Sequence, residues 1–403
     1  MPEAVIVATA RSPIGRAFKG SLVDVRADDL AAQMVRSALE QIPALPVGEI
    51  DDLLLGCGLP GGEQGFNIAR IVSLLAGIDA VPGTTINRYC SSSLQAIRMA
   101  MHAIRAGEGD AFVAAGVECV SRFVKGNSDS LPGTENPRFD PAKLRSAEAA
   151  LPGSHFWEPS RGLPDVYIAM GQTAENVAQI ECVSRAAQDQ FAFESQQRTA
   201  RAGALGFWDR DITPIVTPDG RSISADDGPR PHTTLEDLAR LKPVFKTDGS
   251  VTAGNSCPLN DGAAAVVVMS DSRARELGIR PLARIVSSAV TALNPEIMGL
   301  GPIDACRLAM RRAGMTMGDV DLVEINEAFA AQVIPSMRHL GIAHDKLNVH
   351  GGAIALGHPF GMTGARIMTT LIHSLEATDG TIGLESMCVG GGQGMAMIVE
   401  RLS

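Results

Sequence analysis

Two stretches of this chain pass through the same order of strand-like and helix-like segments at a constant offset of about 270 residues. That repetition constrains the fold more than any other feature. At this offset GEIDDLL (48–54) falls on GDVDLVE (318–324), Cys90 on Phe360 and Phe112 on Ile382. Residues 5–8, 51–56 and 111–116 are short apolar runs that predict buried strands, and 28–40 and 91–106 have helical spacing. The second copy offers helices over 303–313 and 363–375 and strands over 320–325 and 381–385. Alternation of this kind predicts a duplicated α/β unit whose sheet is covered on both faces.

The middle of the chain breaks the pattern. Residues 121–165 are rich in Pro, Gly, Ser and Asn, helical patterns follow at 169–178 and 184–202, and a polar stretch runs to about Lys246. We therefore expect residues 1–120 plus 250–272 to form the first half, 121–249 an inserted loop domain, and 273–403 the second half. Aromatics are only 4% of the chain while Gly reaches 42 and Met 16, so the core must be built from small and aliphatic side chains. A net charge of −10 argues against a broad nucleic-acid surface, and an anionic ligand would need local groups to hold it. The seven cysteines are odd in number and include no C-x-x-C pair, which predicts reduced thiols in a cytoplasmic protein. The N-terminus lacks the basic and apolar regions of a signal peptide, and no apolar run reaches the roughly 18 residues of a membrane span.

Four segments carry chemistry. In INRYCSSSLQA a helix begins just after Cys90, and a helix N-terminus favours thiolate; alternatively Cys90 is a small buried residue at a helix start. His358, in GGAIALGHPFGMTGAR, also precedes a helix and either fills a tight turn or, if the halves pack about a pseudo-twofold, meets Cys90 as its base. Cys388 precedes Gly390, Gly391, Gly392 and Gly394; such a loop can aim N–H groups at an anionic oxygen or merely connect two strands. Asn326 and Glu327 end a strand, where the Asn can serve as an N-cap. A G-x-G-x-x-G match at 56–61 suggests a dinucleotide loop, but Pro60 stands where its helix should begin. No metal signature is visible.

Together these segments resemble the thiolase family, almost end to end. INRYCSSSLQA resembles its nucleophile motif, EINEAFAAQ its N-E-A-F box, GHPFGMTGAR its G-H-P box and MCVGGGQG its C-terminal Cys-Gly motif. ARSPIG, MGQTAEN, TAGNSCPLNDGAAAVVV and IMGLGP are further matches. The resemblance implies two similar α/β halves in an α-β-α-β-α core with an inserted loop domain. It implies thiolysis of a 3-oxoacyl-CoA, or the reverse Claisen condensation, through an acyl group on Cys90. His358 would take the Cys90 proton, and Cys388 would act as acid and base. Asn326 would hold a water for one oxyanion hole, and the N–H groups of Cys90 and Gly390 would form the other. By resemblance, Ala253 and Cys257 lie along pantetheine, Arg221 supplies charge to CoA, and Met170, Met298 and Phe329 line the acyl site. Coenzyme A enters as substrate and no cofactor is held permanently; a homodimer or homotetramer is expected.

The departures concern substrate more than catalysis. Ser93 replaces the usual Gly three residues after the nucleophile, Cys257 stands where Ser often meets pantetheine, and Ala169 stands where short-chain biosynthetic members carry His. We therefore expect a degradative, fatty-acid-type thiolase acting on acyl groups larger than acetoacetyl. The alternatives are a biosynthetic acetoacetyl-CoA thiolase, a ketosynthase-type condensing enzyme and a non-catalytic thiolase-like lipid-binding protein. The second thiol speaks against the ketosynthase, and the complete set of reacting residues against the binding protein.

Overall fold

The structure, a computed structural model, describes residues 2–125, 133–153, 157–159 and 161–402. The first half runs β1 (Ala4–Arg11), β2 (Gly15–Arg16), α1 (Ala27–Glu40), β3 (Asp52–Cys57), α2 (Ile68–Leu75), β4 (Gly83–Ile86), α3 (Ser92–Ala106) and β5 (Ala111–Cys119). The excursion that follows holds α4 (Asp140–Ala149), α5 (Met170–Ile180), α6 (Arg185–Ala204), α7 (Phe207–Asp211), a ribbon of β6 (Ile215–Val216) and β7 (Ser222–Ile223), and α8 (Leu235–Ala239). The chain then returns through β8 (Asn260–Ser270) and α9 (Asp271–Glu276). The last part comprises β9 (Ala283–Ala292), α10 (Gly301–Ala313), β10 (Leu322–Ile325), α11 (Ala330–Leu340), α12 (Ala353–Leu356), α13 (Thr363–Ala377), β11 (Ile382–Val389) and β12 (Gln393–Arg401).

The main sheet has the order β10-β11-β12-β9-β1-β8-β5-β3-β4, with β2 appended to β8. The repeat is visible in the strand directions. β3 and β5 are parallel, as are β10 and β11; β5–β8 and β8–β1 are antiparallel, as are β11–β12 and β12–β9. Even the parallel partner of β3, β4, has a counterpart in the parallel bridge between Val323 and Leu347. The two halves meet where β1 pairs with β9 at Val5–Arg284 and Ile6–Ala283.

Helices α1 and α2 cover one outer face, with Leu30, Val35 and Val72 packed on Val113 and Val267. Helices α10 and α11 cover the other, with Ala309 and Val333 against Val323 and Ile398. Between them α3 and α13 share one apolar cluster with Val266 of the first half and Met397 of the second. This is the expected α-β-α-β-α stack. Small residues make the central crossing possible. A Cβ on Gly364 would land on the backbone of Leu94, and one on Gly56 on the backbone of Ser92. Burial on both sides also explains why α13 is buried along nearly its whole length.

Some expectations change. Residues 140–149 form a helix within the stretch rich in Pro, Gly, Ser and Asn. Strand β11 continues to Val389, so Cys388 lies on the strand and Gly390–Gly392 make the turn into β12. Helix α11 starts at Ala330 after Phe329, so Asn326 is not its N-cap.

Candidate active site

Cys90 sits in a single 3-10 turn, Tyr89–Ser91, immediately before α3. Tyr89 takes the left-handed conformation there (φ 43°), which kinks the chain and presents the thiol. The sulfur faces the backbone N–H groups of Gly390 and of Cys90 itself, both of which favour thiolate. Burial is the larger influence and, with the charge of Glu118, pushes the thiol up to about 11. This corrects the expectation of a helix-lowered thiol: burial outweighs the local field and the resting group is protonated.

His358 is buried. Its backbone N–H donates to Asn260 Oδ1 (3.0 Å). The Thr363 hydroxyl donates to the Pro359 carbonyl (2.7 Å) and so accepts from Nδ1–H of His358 (2.6 Å). That network assigns the ring proton to Nδ1 and makes Nε2 the acceptor nitrogen. Asn326 Nδ2 lies 3.3 Å from Nε2. Burial, then the charge of Arg366, lowers the imidazole to about 3. The imidazole is therefore neutral in the resting site.

Cys388 is buried, and its thiol is held well above the ordinary range by burial and then by the neighbouring Cys90 and Cys257 sulfurs. Burial and Cys90 also raise Cys257. Cys388 packs in one cluster with Met170, Cys257, Met298, Ala328 and Phe329. Position 390 would carry a Cβ 3.5 Å from the Tyr89 ring and 3.8 Å from the Met170 sulfur, so the turn after Cys388 fits between them. The arrangement offers a nucleophilic thiol, a neutral base, a second thiol able to move a proton, and N–H groups for a developing anion.

A groove lies alongside, lined among others by Arg16, Arg230, His232, Ala253, Gly254 and Pro258. It contains the expected Ala253 and Pro258, the residue after Cys257, but not Cys257 itself. Arg221 does not join it. That residue stands on the β6–β7 ribbon, largely exposed, paired with Asp219 at 2.7 Å. Arg230 and Arg16 provide the positive charge at the groove instead.

Sequence inspection also missed Thr363, which starts α13 five residues after His358, and Glu118. The latter is buried and accepts from the N–H groups of Gly58 (2.7 Å), Leu59 (3.2 Å) and Gly361 (2.9 Å) and from Gln64 (2.7 Å). These bonds dispose of the dinucleotide pattern: a carboxylate already occupies the Gly58 N–H, and a short 3-10 turn at Gly62–Gln64 follows where a helix would be needed. Among the described residues no group of His, Cys, Asp or Glu is placed to hold a metal ion, and no helix is long and apolar enough to cross a membrane.

Comparison with known proteins agrees with this geometry. Residues 4–272 match the profile of the thiolase N-terminal domain and residues 279–401 that of the thiolase C-terminal domain. The chain is 44% identical to the 3-oxoadipyl-CoA/3-oxo-5,6-dehydrosuberyl-CoA thiolase of Escherichia coli K12, covering 100% of both. It is 43% identical to the 3-ketoacyl-CoA thiolase of Bacillus subtilis, covering 99% of this chain and 100% of that one. The crystal structure of human mitochondrial 3-ketoacyl-CoA thiolase superposes with a TM-score of 0.87 at 34% identity, covering 100% of this chain and 99% of that one. Matched through both halves, the chain belongs to the thiolase family and is an acyltransferase that uses coenzyme A as a substrate.

Proposed function

We propose that the chain cleaves a 3-oxoacyl-CoA larger than acetoacetyl-CoA, releasing acetyl-CoA and a shortened acyl-CoA. The Cys90 proton moves to His358 Nε2 as the sulfur attacks the 3-keto carbon. The bond between carbons 2 and 3 then breaks, and the electron pair leaves as the acetyl-CoA enolate, which takes its proton from Cys388. An incoming CoA thiol gives its proton to Cys388 and attacks the acyl carbonyl. Cys90 departs and recovers its proton from His358. The N–H groups of Gly390 and Cys90 serve the oxyanion at the acyl carbon, and Asn326 with His358 serves the enolate. Coenzyme A lies in the groove past Ala253, its phosphates toward Arg16 and Arg230.

The observation that carries the substrate size is the wall around Cys388. Met170, Met298 and Phe329 are apolar, and Ala169, the N-cap of α5, is small and exposed beside Met170. Such a wall gains roughly 0.8 kcal/mol for each methylene it covers. A second substrate class, the 3-oxoacyl-CoA of a dicarboxylic acid, is favoured by the name of the Escherichia coli relative. A kcat/KM comparison of acetoacetyl-CoA, 3-oxooctanoyl-CoA and 3-oxoadipyl-CoA separates the two. Best turnover of acetoacetyl-CoA would overturn the proposed substrate size.

A further inference from the structure

We propose that Glu324, Glu385 and Arg366 form a buried positioning cluster that keeps a proton on a carboxyl group and so sets the charge felt by His358. It rests on the Cys90–His358 chemistry above.

Each member stands on an element that carries part of the site. β10 leads from Glu324 to Asn326, β11 from Glu385 to Cys388, and α13 from Thr363, which holds His358 Nδ1, to Arg366. Glu324 and Glu385 are direct partners in the parallel β10–β11 pairing. Leu322, Met387 and Val389, which share their face, pack with Ala365 and Met368 of α13, whereas Val323 and Leu384 face the α10 side. The two acids are thus turned toward the helix that carries Arg366, and all three side chains are buried.

A structural ion pair would close its hydrogen bonds, because open ones cost more than the pair returns. Here Arg366 Nε and Nη1, Glu324 Oε1 and both Glu385 carboxyl oxygens have no hydrogen-bond partner among the described residues. Two adjacent buried carboxyls cannot both ionise beside one guanidinium without large cost. Burial pushes Glu324 up to about 8 and Glu385 well above its ordinary range, each opposed by Arg366. The other charged groups that act on the cluster are Arg11 on β1, Arg198 on α6, Asp211 on α7 and Glu327 beyond β10. Asp211 is itself paired with Arg11 and with His373 of α13. Arg366 is also the second cause, after burial, of the low basicity of His358. Ionising Glu324 therefore offsets Arg366 and makes His358 a better base.

The test is the pH profile of kcat/KM for thiolysis by the wild type, Glu324→Gln and Glu385→Gln. The wild type should show an ionisation near the Glu324 value that Glu385→Gln keeps and Glu324→Gln loses. Glu324→Gln should match the wild type within about twofold one to two pH units below that step and fall about fivefold behind above it. An unchanged step in Glu324→Gln, or an equal loss at every pH, would overturn the cluster's role. An infrared titration of the wild type needs neither variant nor turnover. It should show the carbonyl stretch of a protonated carboxyl at neutral pH that fades on the alkaline side; absence of that band also overturns the proposal.

Discussion

The Ser93 hydroxyl accepts a hydrogen bond from the backbone N–H of Ala365 at 2.9 Å, joining the first turn of the nucleophile helix to the first turn of the histidine helix. Ala365 lies in the first turn of α13, where N–H groups lack partners within the helix. Ser93, which stands where Gly is usual, satisfies one of these across the crossing. Ser93→Ala leaves that buried donor unmatched and should cost about 1–3 kcal/mol. Thermal unfolding of the variant should begin at a lower temperature, and an unchanged Tm would remove this bond from the account of stability.

Cys388→Ala should still become acylated on Cys90 from acetyl-CoA, because nucleophile, base and the Gly390 N–H remain. Carbon–carbon cleavage should fall by about 10²–10⁴, the usual worth of a placed acid or base. Peptide mass spectrometry follows the acylation and steady-state thiolysis the cleavage. Near wild-type thiolysis would end the proposed role of Cys388.

His358 has a pKa of about 3 in the fold, lowered by burial and Arg366. The unfolded chain binds its proton near the ordinary histidine value of about 6.5. Between these values the unfolded state holds more protons, so this group's contribution falls as pH drops through the window and is fully present above it. His358→Gln should flatten the acid side of the stability curve by up to roughly 1.4 kcal/mol per pH unit. Parallel denaturant titrations of both proteins read the difference; identical acid slopes would show that His358 is not buried neutral.

Arg230→Ala should raise KM for CoA about tenfold with little change in kcat, the mark of binding shared by ground and transition states. Arg221→Ala should change neither, since Arg221 is exposed and tied to Asp219. The reverse outcome would place the CoA phosphates at the ribbon rather than in the groove.

Four further buried carbons are worth at most about 3.2 kcal/mol, or some 200-fold in kcat/KM, for 3-oxooctanoyl-CoA over acetoacetyl-CoA. Met298→Gln, which adds a polar amide to the wall, should shrink that ratio and leave acetoacetyl-CoA turnover within about twofold. A ratio unmoved by this change would mean that the chain lies elsewhere.

Much of the fold was legible in the chain because its signals are local. β-branched runs become buried strands, helical spacing becomes α1, α3 and α13, and the offset of about 270 residues reappears as matching strand directions. Cys90, His358, Asn326 and Cys388 stand out because each lies at the end of such an element, beside residues that make a turn. What the sequence could not decide depends on groups distant along the chain. The helix-end field at Cys90 is local, whereas the burial that outweighs it comes from the packed halves. Arg221 and Arg230 look alike as letters, and only the path of the excursion leaves one paired on a ribbon and the other in the groove. Ser93 and Ala365 are 272 residues apart, and Glu324 and Glu385 meet only through strand register. Electrostatics and hydrogen bonding act through space, so the local chain determined which residues could react and the tertiary structure decided their protonation and their partners.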